Sequence, residues 1–269
     1  MWEKTEKNNI IYYTIPEWAS LGAEVYISCR LGGVSKKGYD SLNLARHVED
    51  EDEAVTENRR LFMAALDIPM TDFVSIQQVH GKKIRHITPK DRGTGLMSYN
   101  HAFPETDGMY TAHKGLFLST FYADCLPIAI FDPEHKVLGT AHAGWRGTLQ
   151  NIGASLLREM NVNYGTEPKD ALVAFGPGIG VCCYEVDKVF YSRFTTTFNN
   201  AESWFKRGKA REYFFDNAKA NRDLLTTLGV REENITDFNM CTCCNQELFY
   251  SYRGSDGRCG RHGLFARLI

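Results

Sequence analysis

The stretch LFLSTFYADCLPIAIFDPEHKVLGTAH (116–142) contains three consecutive strand-like segments and therefore predicts β-sheet at the centre of the fold. These segments are LFLSTFY (116–122), PIAIFD (127–132) and KVLGTAH (136–142). Each is a short apolar run bounded by polar or turn-forming residues, a pattern typical of buried strands. The turn DPEHK separates the last two segments and predicts a hairpin.

On either side of this stretch the chain mixes strands and helices without strict alternation. Further strand patterns occur in AEVYISCR (23–30), FVSIQQV (73–79), KIRHIT (83–88), ALVAFGPGIG (171–180), ITDFNM (235–240), ELFYSYR (247–253) and LFARLI (264–269). Helix patterns occur in EDEAVTENRRLFMAALDI (51–68), GTLQNIGASLLREMNV (147–162) and DNAKANRDLLTTLG (216–229). This order favours an α+β fold with mixed sheets over a doubly wound parallel sheet. Residues 90–108 are predicted to form a long surface loop inside one domain that spans 1–269.

Composition and charge exclude several classes of protein. The chain has 269 residues, of which 43% are hydrophobic and 24% charged, and its formal net charge is −2. This near-balance argues against a nucleic-acid binder that depends on bulk electrostatics. The N-terminus lacks the apolar core of a signal peptide, and no apolar run is long enough to cross a bilayer. We therefore expect a cytoplasmic protein with no membrane contact and no obligate protein partner.

Two histidines and a cysteine stand where predicted strands end, which is where a rigid scaffold usually presents functional groups. They are His80, Cys125 and His142. Two imidazoles and one thiolate can bind zinc and leave the fourth tetrahedral position open, as in catalytic zinc sites. The long gaps between the three match no local zinc pattern, so ordinary packing and hydrogen-bonding roles stay open on the residues alone.

Eight cysteines are present, and three of them form the string CTCC (241–244). In a cytosolic chain they serve packing, catalysis or metal binding rather than disulfides. Cys241, Cys243 and Cys244 could hold a structural zinc with Cys259 and His262, although this spacing fits no standard ribbon. Packing is the default role of the Cys182–Cys183 pair.

Several strings resemble the YfiH-like laccase-domain family, whose members have been called polyphenol oxidases and purine nucleoside phosphorylases. They are QQVHG (77–81), ADCLPI (123–128), HAGWRGT (142–148), GPGIGVCCYEV (176–186) and FYSYRGSDGRCGR (249–261). The resemblance implies a four-layer α/β/β/α arrangement of the kind called CNF/YfiH-like. It also implies that His80, Cys125 and His142 bind one metal, usually zinc, with copper possible.

The resemblance implies phosphorolysis of adenosine, inosine, guanosine and methylthioadenosine, and deamination of adenosine. Purine nucleosides and phosphate would then be the ligands. Copper-dependent phenol oxidation is a further implied activity. A multicopper oxidase, however, needs more histidine ligands than the eight histidines here provide. One metal suits nucleoside chemistry better.

Roles for individual residues follow from these activities. His80, Cys125 and His142 form the predicted catalytic centre, and Asp124 is the candidate carboxylate for proton transfer in deamination. Arg146 is the candidate phosphate fork, since guanidinium groups bind phosphate in bidentate fashion. Arg30 is the second candidate, for phosphate or ribose. Weaker candidates for ribose or base contacts are Asn43, Gln78 and Tyr184.

The same centre supports two other functions. Without metal, Cys125 as nucleophile and His142 or His80 as base would make a cysteine hydrolase. The resemblance gives this alternative a context, because peptidoglycan editing has been attributed to some bacterial members. A non-enzymatic metal or nucleoside binder is the third hypothesis.

Overall fold

The computed structural model describes residues 1–208 and 212–269. Its strands are β1 (Glu3–Lys7), β2 (Ile10–Thr14), β3 (Ala23–Ser28), β4 (Phe73–Ser75), β5 (Ile84–His86), β6 (Gly108–Thr111), β7 (Phe117–Tyr122), β8 (Leu126–Asp132), β9 (Val137–Ala143), β10 (Leu172–Phe175), β11 (Glu185–Val186), β12 (Phe205–Arg207), β13 (Tyr213–Phe215), β14 (Ile235–Thr236) and β15 (His262–Leu268). Its α-helices are α1 (Pro16–Ser20), α2 (Asp52–Ala65), α3 (Trp145–Leu149), α4 (Ile152–Tyr164), α5 (Lys188–Thr197) and α6 (Asn217–Thr227).

Two six-stranded mixed sheets carry the fold. The first sheet has the order β1-β2-β3-β15-β7-β4, and the second has the order β14-β10-β8-β9-β6-β5. In each sheet most neighbours are antiparallel, and the β4–β7, β5–β6 and β10–β14 pairs are parallel. Strands β8 and β9 form the predicted hairpin, which is confirmed.

The two sheets pack face to face. Alternate residues along each strand point to opposite faces, so one set of side chains from each sheet faces the other sheet. On β15, Leu264 and Ala266 lie in a core that they share with Phe131 of β8 and Leu138 of β9. Phe265, between them, faces the other way and packs with α2 residues. The outer face of the second sheet is covered by α4 and α6 in the same manner. These layers confirm the predicted α/β/β/α arrangement.

The helix predicted over 147–162 is two helices. Asn151 separates α3 from α4 with a left-handed backbone (φ 54°), and its side-chain oxygen accepts a hydrogen bond from the Ala154 amide. Asparagine tolerates that conformation and caps helices well, so the break is local in origin. Asp216 caps α6 as predicted, since its side chain accepts from the Lys219 amide.

Other predictions hold only in part. The strand predicted at 247–253 is not formed. This segment is irregular, and its apolar pattern reflects the burial of the Phe249 and Tyr250 rings. A small sheet, β11-β13-β12, packs with α5 in an aromatic cluster that the strand patterns did not indicate. Within the described residues, none of the helices combines the length and apolarity that crossing a bilayer requires.

Candidate active site

The candidate site lies where the chain crosses from the first sheet to the second. Strand β7 belongs to the first sheet and β8 to the second, and residues 123–125 make the connection. Asp124 adopts a positive φ of 87° there. This conformation is uncommon for residues other than glycine. The turn lets both Asp124 and Cys125 line one cavity, which neighbours on a regular strand would not do.

The structure brings His80, Cys125 and His142 together. One ligand atom from each lies within 4.8 Å of the others. The Cys125 Sγ is 3.9 Å from His80 Nδ1, and the two imidazole rings are 4.7 Å apart between centroids. His142, at the end of β9, is buried, whereas the other two are more accessible. Two nitrogens and one sulfur at these separations suit a tetrahedral zinc with an open fourth position.

Asp107 orients both histidines, and the sequence patterns did not single it out. Its fully buried carboxylate accepts hydrogen bonds from the amides of Val79, His80 and Gly81 at 3.2, 2.8 and 2.7 Å. It is also 2.9 Å from His142 Nδ1. The other ring nitrogen of His142, Nε2, is therefore the one left for a ligand. A carboxylate behind a metal-binding imidazole fixes its tautomer and raises its basicity.

The same carboxylate holds the His80 loop in place. His80 has a left-handed backbone (φ 62°) and lies in a loop, because the strand predicted over 73–79 ends at Ser75. Three consecutive amides directed at Asp107 stabilise that turn. The sequence gives only a weak signal for this role, because Asp107 is the next-to-last residue of the predicted loop 90–108 and resembles an ordinary turn residue.

The charges of the trio are mutually dependent. Burial opposes ionisation of the Cys125 thiol, but the imidazoles of His142 and His80 outweigh it and lower the pKa of Cys125. Burial likewise disfavours the His142 imidazolium, but the Cys125 thiolate and the Asp107 carboxylate outweigh it and raise the pKa of His142. The thiolate, which is the form that binds metals or attacks electrophiles, is therefore favoured here.

Gly144 leaves the room that the trio needs. A Cβ at this position would lie 2.6 Å from His80 Nδ1 and 3.1 Å from Cys125 Sγ. Its backbone is otherwise ordinary (φ −66°), so close approach to the side chains, not conformation, excludes a larger residue. The donor atoms thus surround a space that even a methyl group would fill, which is consistent with a bound ion.

A cavity of about 690 Å³ opens onto the trio. This size is typical of small-molecule sites. One wall is aromatic, with Tyr184, Phe190 and Trp145 close together: the Phe190 ring lies 5.2 Å from Trp145 and 6.0 Å from Tyr184. Flat aromatic faces of this kind bind planar apolar groups.

Three of the predicted site residues outside the trio also line the cavity. Asp124 accepts hydrogen bonds from the Thr242 hydroxyl and the Arg253 amide, both at 2.6 Å. The Gln78 side chain pairs with the backbone of Phe121 through both its amide nitrogen and its oxygen. Tyr184 belongs to the aromatic wall.

The structure does not bring the remaining three to the cavity lining. The Arg30 guanidinium donates to the carbonyls of Asp40 and Gln246 and stacks on Tyr250. Asn43 is fully buried, and its side-chain amide is satisfied by local partners. Arg146 is exposed and lies over the Trp145 ring. Arg30 and Asn43 therefore have structural roles, and Arg146 is not part of the cavity lining.

Two other arginines, Arg253 and Arg261, do line the cavity. One nitrogen of each donates to backbone carbonyls, which fixes the guanidinium groups. Both belong to the string FYSYRGSDGRCGR (249–261), so the motif was visible although its arginines were not singled out. His47 also lines the cavity, and no sequence pattern pointed to it.

The grouping of the CTCC string with Cys259 and His262, which the sequence leaves open, is not formed. Cys241 and Cys244 lie with Cys182 and Cys183 instead. His262 is fully buried in β15, and Cys259 is buried beside Arg261. The loop of Cys182 and Cys183 and the loop of Cys241 and Cys244 are far apart in the sequence, so no local pattern predicts that they meet.

Comparison with known proteins identifies the family. Residues 24–268 match the family described as multi-copper polyphenol oxidoreductase laccase. The chain belongs to this family. The resemblance seen in the sequence motifs is thereby confirmed, and this laccase-like family is a metal-binding one.

Relatives in this family carry the name of a different activity. The chain is 34% identical over 230 residues to the purine nucleoside phosphorylase YlmD of Bacillus subtilis (strain 168), covering 86% of this chain and 83% of that protein. It is 36% identical over 241 residues to the purine nucleoside phosphorylase YlmD of Geobacillus stearothermophilus, covering 89% and 88%. The crystal structure of YlmD from that organism superimposes with a TM-score of 0.93, at 34% identity, over 98% of this chain and 97% of that one.

The metal-ligating side chains of the described residues can be compared with those that a multicopper oxidase needs. In residues 1–208 and 212–269, the groups able to hold a metal are the His80–Cys125–His142 trio and a set of four cysteines without histidine. A blue copper site and a trinuclear cluster together need many imidazoles, so the residues gathered here favour a single-metal centre.

Proposed function

We propose that this protein is a zinc-dependent purine nucleoside phosphorylase acting on adenosine, inosine, guanosine and methylthioadenosine. The observation that carries the proposal is the placement of His80, Cys125 and His142 at one cavity that also offers an aromatic wall and two arginines. The relatives named purine nucleoside phosphorylase support it.

The trio would hold the zinc through His80 Nδ1, Cys125 Sγ and His142 Nε2. When bound, zinc supplies a Lewis acid that polarises an oxygen atom of a substrate. The protein's own contribution is to keep the three donors in place: Asp107 fixes the His142 tautomer and the His80 turn, and Gly144 leaves the space.

The purine would stack on the aromatic wall. Tyr184 and Phe190 offer flat faces to one cavity, and stacking on such faces is tolerant of which purine is bound. This tolerance agrees with a substrate range that covers adenosine, inosine, guanosine and methylthioadenosine.

Phosphate would be held by Arg253 and Arg261. Guanidinium groups bind phosphate oxygens through parallel hydrogen bonds, and both groups are already oriented by backbone carbonyls. In phosphorolysis a phosphate oxygen bonds to the anomeric carbon while the glycosidic C–N bond breaks. The purine leaves with the bonding pair and takes up a proton.

We also propose that adenosine is deaminated at the same cavity. Asp124 lines the cavity and would transfer protons between the attacking water and the leaving amine. Its two oxygens each accept one hydrogen bond, from Thr242 and Arg253, which orients the carboxylate.

Product analysis separates these reactions. We expect purified protein to release adenine and ribose 1-phosphate from adenosine only when phosphate is present. Inosine formed without phosphate would show the deaminase reaction. If neither product forms with metal-loaded protein, the nucleoside proposal is wrong.

An arginine variant tests the phosphate site. We expect Arg261→Ala to raise the KM for phosphate at least tenfold while the metal content stays unchanged. Arg158→Ala is the matched control, because Arg158 is exposed on α4 and outside the cavity lining, and its phosphate KM should equal that of the wild type. An unchanged phosphate KM in Arg261→Ala would remove that residue from the site.

A second function is favoured by one observation. The Asp107 carboxylate, the His142 imidazole and the Cys125 thiolate stand in the order of an orienting acid, a base and a nucleophile. Without metal this arrangement would act as a cysteine hydrolase.

Alkylation of Cys125 distinguishes the two functions. With zinc bound, the thiolate should resist iodoacetamide until a chelator is added, as read by peptide mapping of residue 125. The hydrolase predicts rapid alkylation of purified protein with or without chelator, because the lowered pKa of Cys125 keeps it ionised.

A further inference from the structure

Four cysteines outside the candidate active site meet at the junction of two loops. Cys182 and Cys183 lie in the turn after the GPGIG segment, and Cys241 and Cys244 lie in the CTCC turn. An isolated bridge joins Gly178 to Cys241, and the Thr242 amide donates to the Gly178 carbonyl at 3.0 Å. These backbone contacts hold the two loops side by side.

The four sulfur atoms are spaced as ligands of one metal ion. All lie within 4.8 Å of one another. Cys244 Sγ is 3.6 Å from Cys182 Sγ and 3.4 Å from Cys183 Sγ. A disulfide requires about 2.05 Å. Four sulfurs around a zinc ion at about 2.3 Å stand about 3.8 Å apart along the edges of the tetrahedron, which is close to the distances observed.

The backbone around the cluster is adapted to a charged sulfur. The Gly180 amide donates to Cys241 Sγ at 3.2 Å. Amide hydrogen bonds to ligand sulfurs are typical second-shell contacts of thiolate metal sites. A Cβ at Gly180 would come within 3.2 Å of Cys182 Sγ and 3.1 Å of the Cys241 Cβ, so glycine leaves space for the cluster.

We propose that Cys182, Cys183, Cys241 and Cys244 form a second metal site, a tetrathiolate that binds zinc. The C-x-x-C spacing of Cys241 and Cys244 is that of a common structural zinc half-site. Four protein ligands close the coordination shell, so the ion would have a structural role rather than a catalytic one. The site does not depend on the proposed nucleoside chemistry.

The position of the cluster indicates what the ion would stabilise. Cys183 precedes Tyr184 of the aromatic wall, and Cys241 precedes Thr242, whose hydroxyl holds Asp124. The Cys183 carbonyl also lies 3.4 Å from an Arg253 nitrogen. An ion tying the two loops together would therefore fix one side of the active-site cavity.

Metal stoichiometry tests the site directly. Protein purified under reducing conditions with zinc should contain about two zinc ions per chain by elemental mass spectrometry. Cys244→Ser and Cys182→Ser should each lose about one of them, whereas Cys125→Ala should lose the other. Cys243→Ser is the matched control, because Cys243 lies in the same turn but outside the four-cysteine set, and it should keep both ions.

Cobalt substitution gives an independent reading. In the Cys125→Ala variant, cobalt should still produce the visible absorption of a tetrahedral thiolate site, and adding Cys244→Ser should abolish it. Circular dichroism checks that each variant is folded. The proposal is overturned if Cys244→Ser binds as much metal as the wild type, if Cys243→Ser loses an ion, or if intact mass shows these cysteines in disulfides.

Discussion

Single residues decide whether the trio can bind an ion. Asp107 is the most informative, because one buried carboxylate accepts three amides and faces the His142 ring. An asparagine in its place has one acceptor oxygen and would point an NH₂ group at donors. Left without an acceptor, a buried donor costs about 1–3 kcal/mol.

We expect Asp107→Asn to weaken zinc binding at the trio by about 10–100-fold, because the histidines lose their orientation. Competition with a chromophoric chelator measures the affinity. Asp132→Asn is the matched control: Asp132 is also buried and bonded to a histidine, His135, but it is not part of the cavity lining. Equal zinc affinity in the two variants would show that Asp107 does not position the ligands.

Adding a methyl group at Gly144 tests whether the space between the three donor atoms is needed. We expect Gly144→Ala to fold and to lose the trio's metal, since the new methyl group would meet His80 Nδ1 and Cys125 Sγ. Gly153→Ala is the control, because the atoms nearest to its methyl group would belong to the flexible Leu225 side chain. Zinc content by elemental mass spectrometry decides, and a full complement in Gly144→Ala would contradict the assigned geometry.

The sequence motifs predict which three side chains meet, but they do not predict the residue that supports them. His80, Cys125 and His142 belong to recognisable motifs, whereas Asp107 acts through a contact that forms only when its loop folds back. The HAGWRGT motif favours Arg146, yet its side chain lies over the Trp145 ring and is not part of the cavity lining. Side-chain direction depends on tertiary packing, which motifs do not encode.

Among the elements, local patterns predicted strands and helices better than their partners. The DPEHK turn predicted the β8–β9 hairpin, and Asp216 predicted the start of α6. Nothing local indicated that β7 and β8, only a few residues apart, belong to different sheets. The partner of a strand is a long-range property, and this crossover is what creates the site.

The break between α3 and α4 yields a stability prediction. Asn151→Ala should lower the free energy of unfolding by about 2 kcal/mol, because it loses the cap on Ala154 and places alanine in a left-handed conformation. Asn151→Gly should lose much less, since glycine adopts that conformation freely. Chemical denaturation compares the two, and equal losses would mean that the backbone conformation is not the cause.

For the molecule as a whole, the prediction of one domain over 1–269 is supported by a helix that contributes to two hydrophobic cores. Helix α6 contributes Leu224 to the aromatic cluster around α5 and Leu225 to the core beneath the second sheet. Two cores joined through one helix should unfold together. We expect thermal transitions followed by far-UV circular dichroism and by tryptophan fluorescence to coincide. The fluorescence includes both Trp204 in the aromatic cluster and Trp18 in the core between the sheets. Two separate transitions would show that the chain unfolds as two units, contrary to the prediction of one domain.

The most direct test of the proposed function is adenine release from adenosine in the presence of phosphate, measured before chelation, after chelation and after zinc is returned. We expect release with the loaded protein, its loss after chelation, and its recovery with zinc in the wild type but not in Cys125→Ala. Full adenine release from chelated protein, or from Cys125→Ala, would contradict a zinc centre at His80, Cys125 and His142.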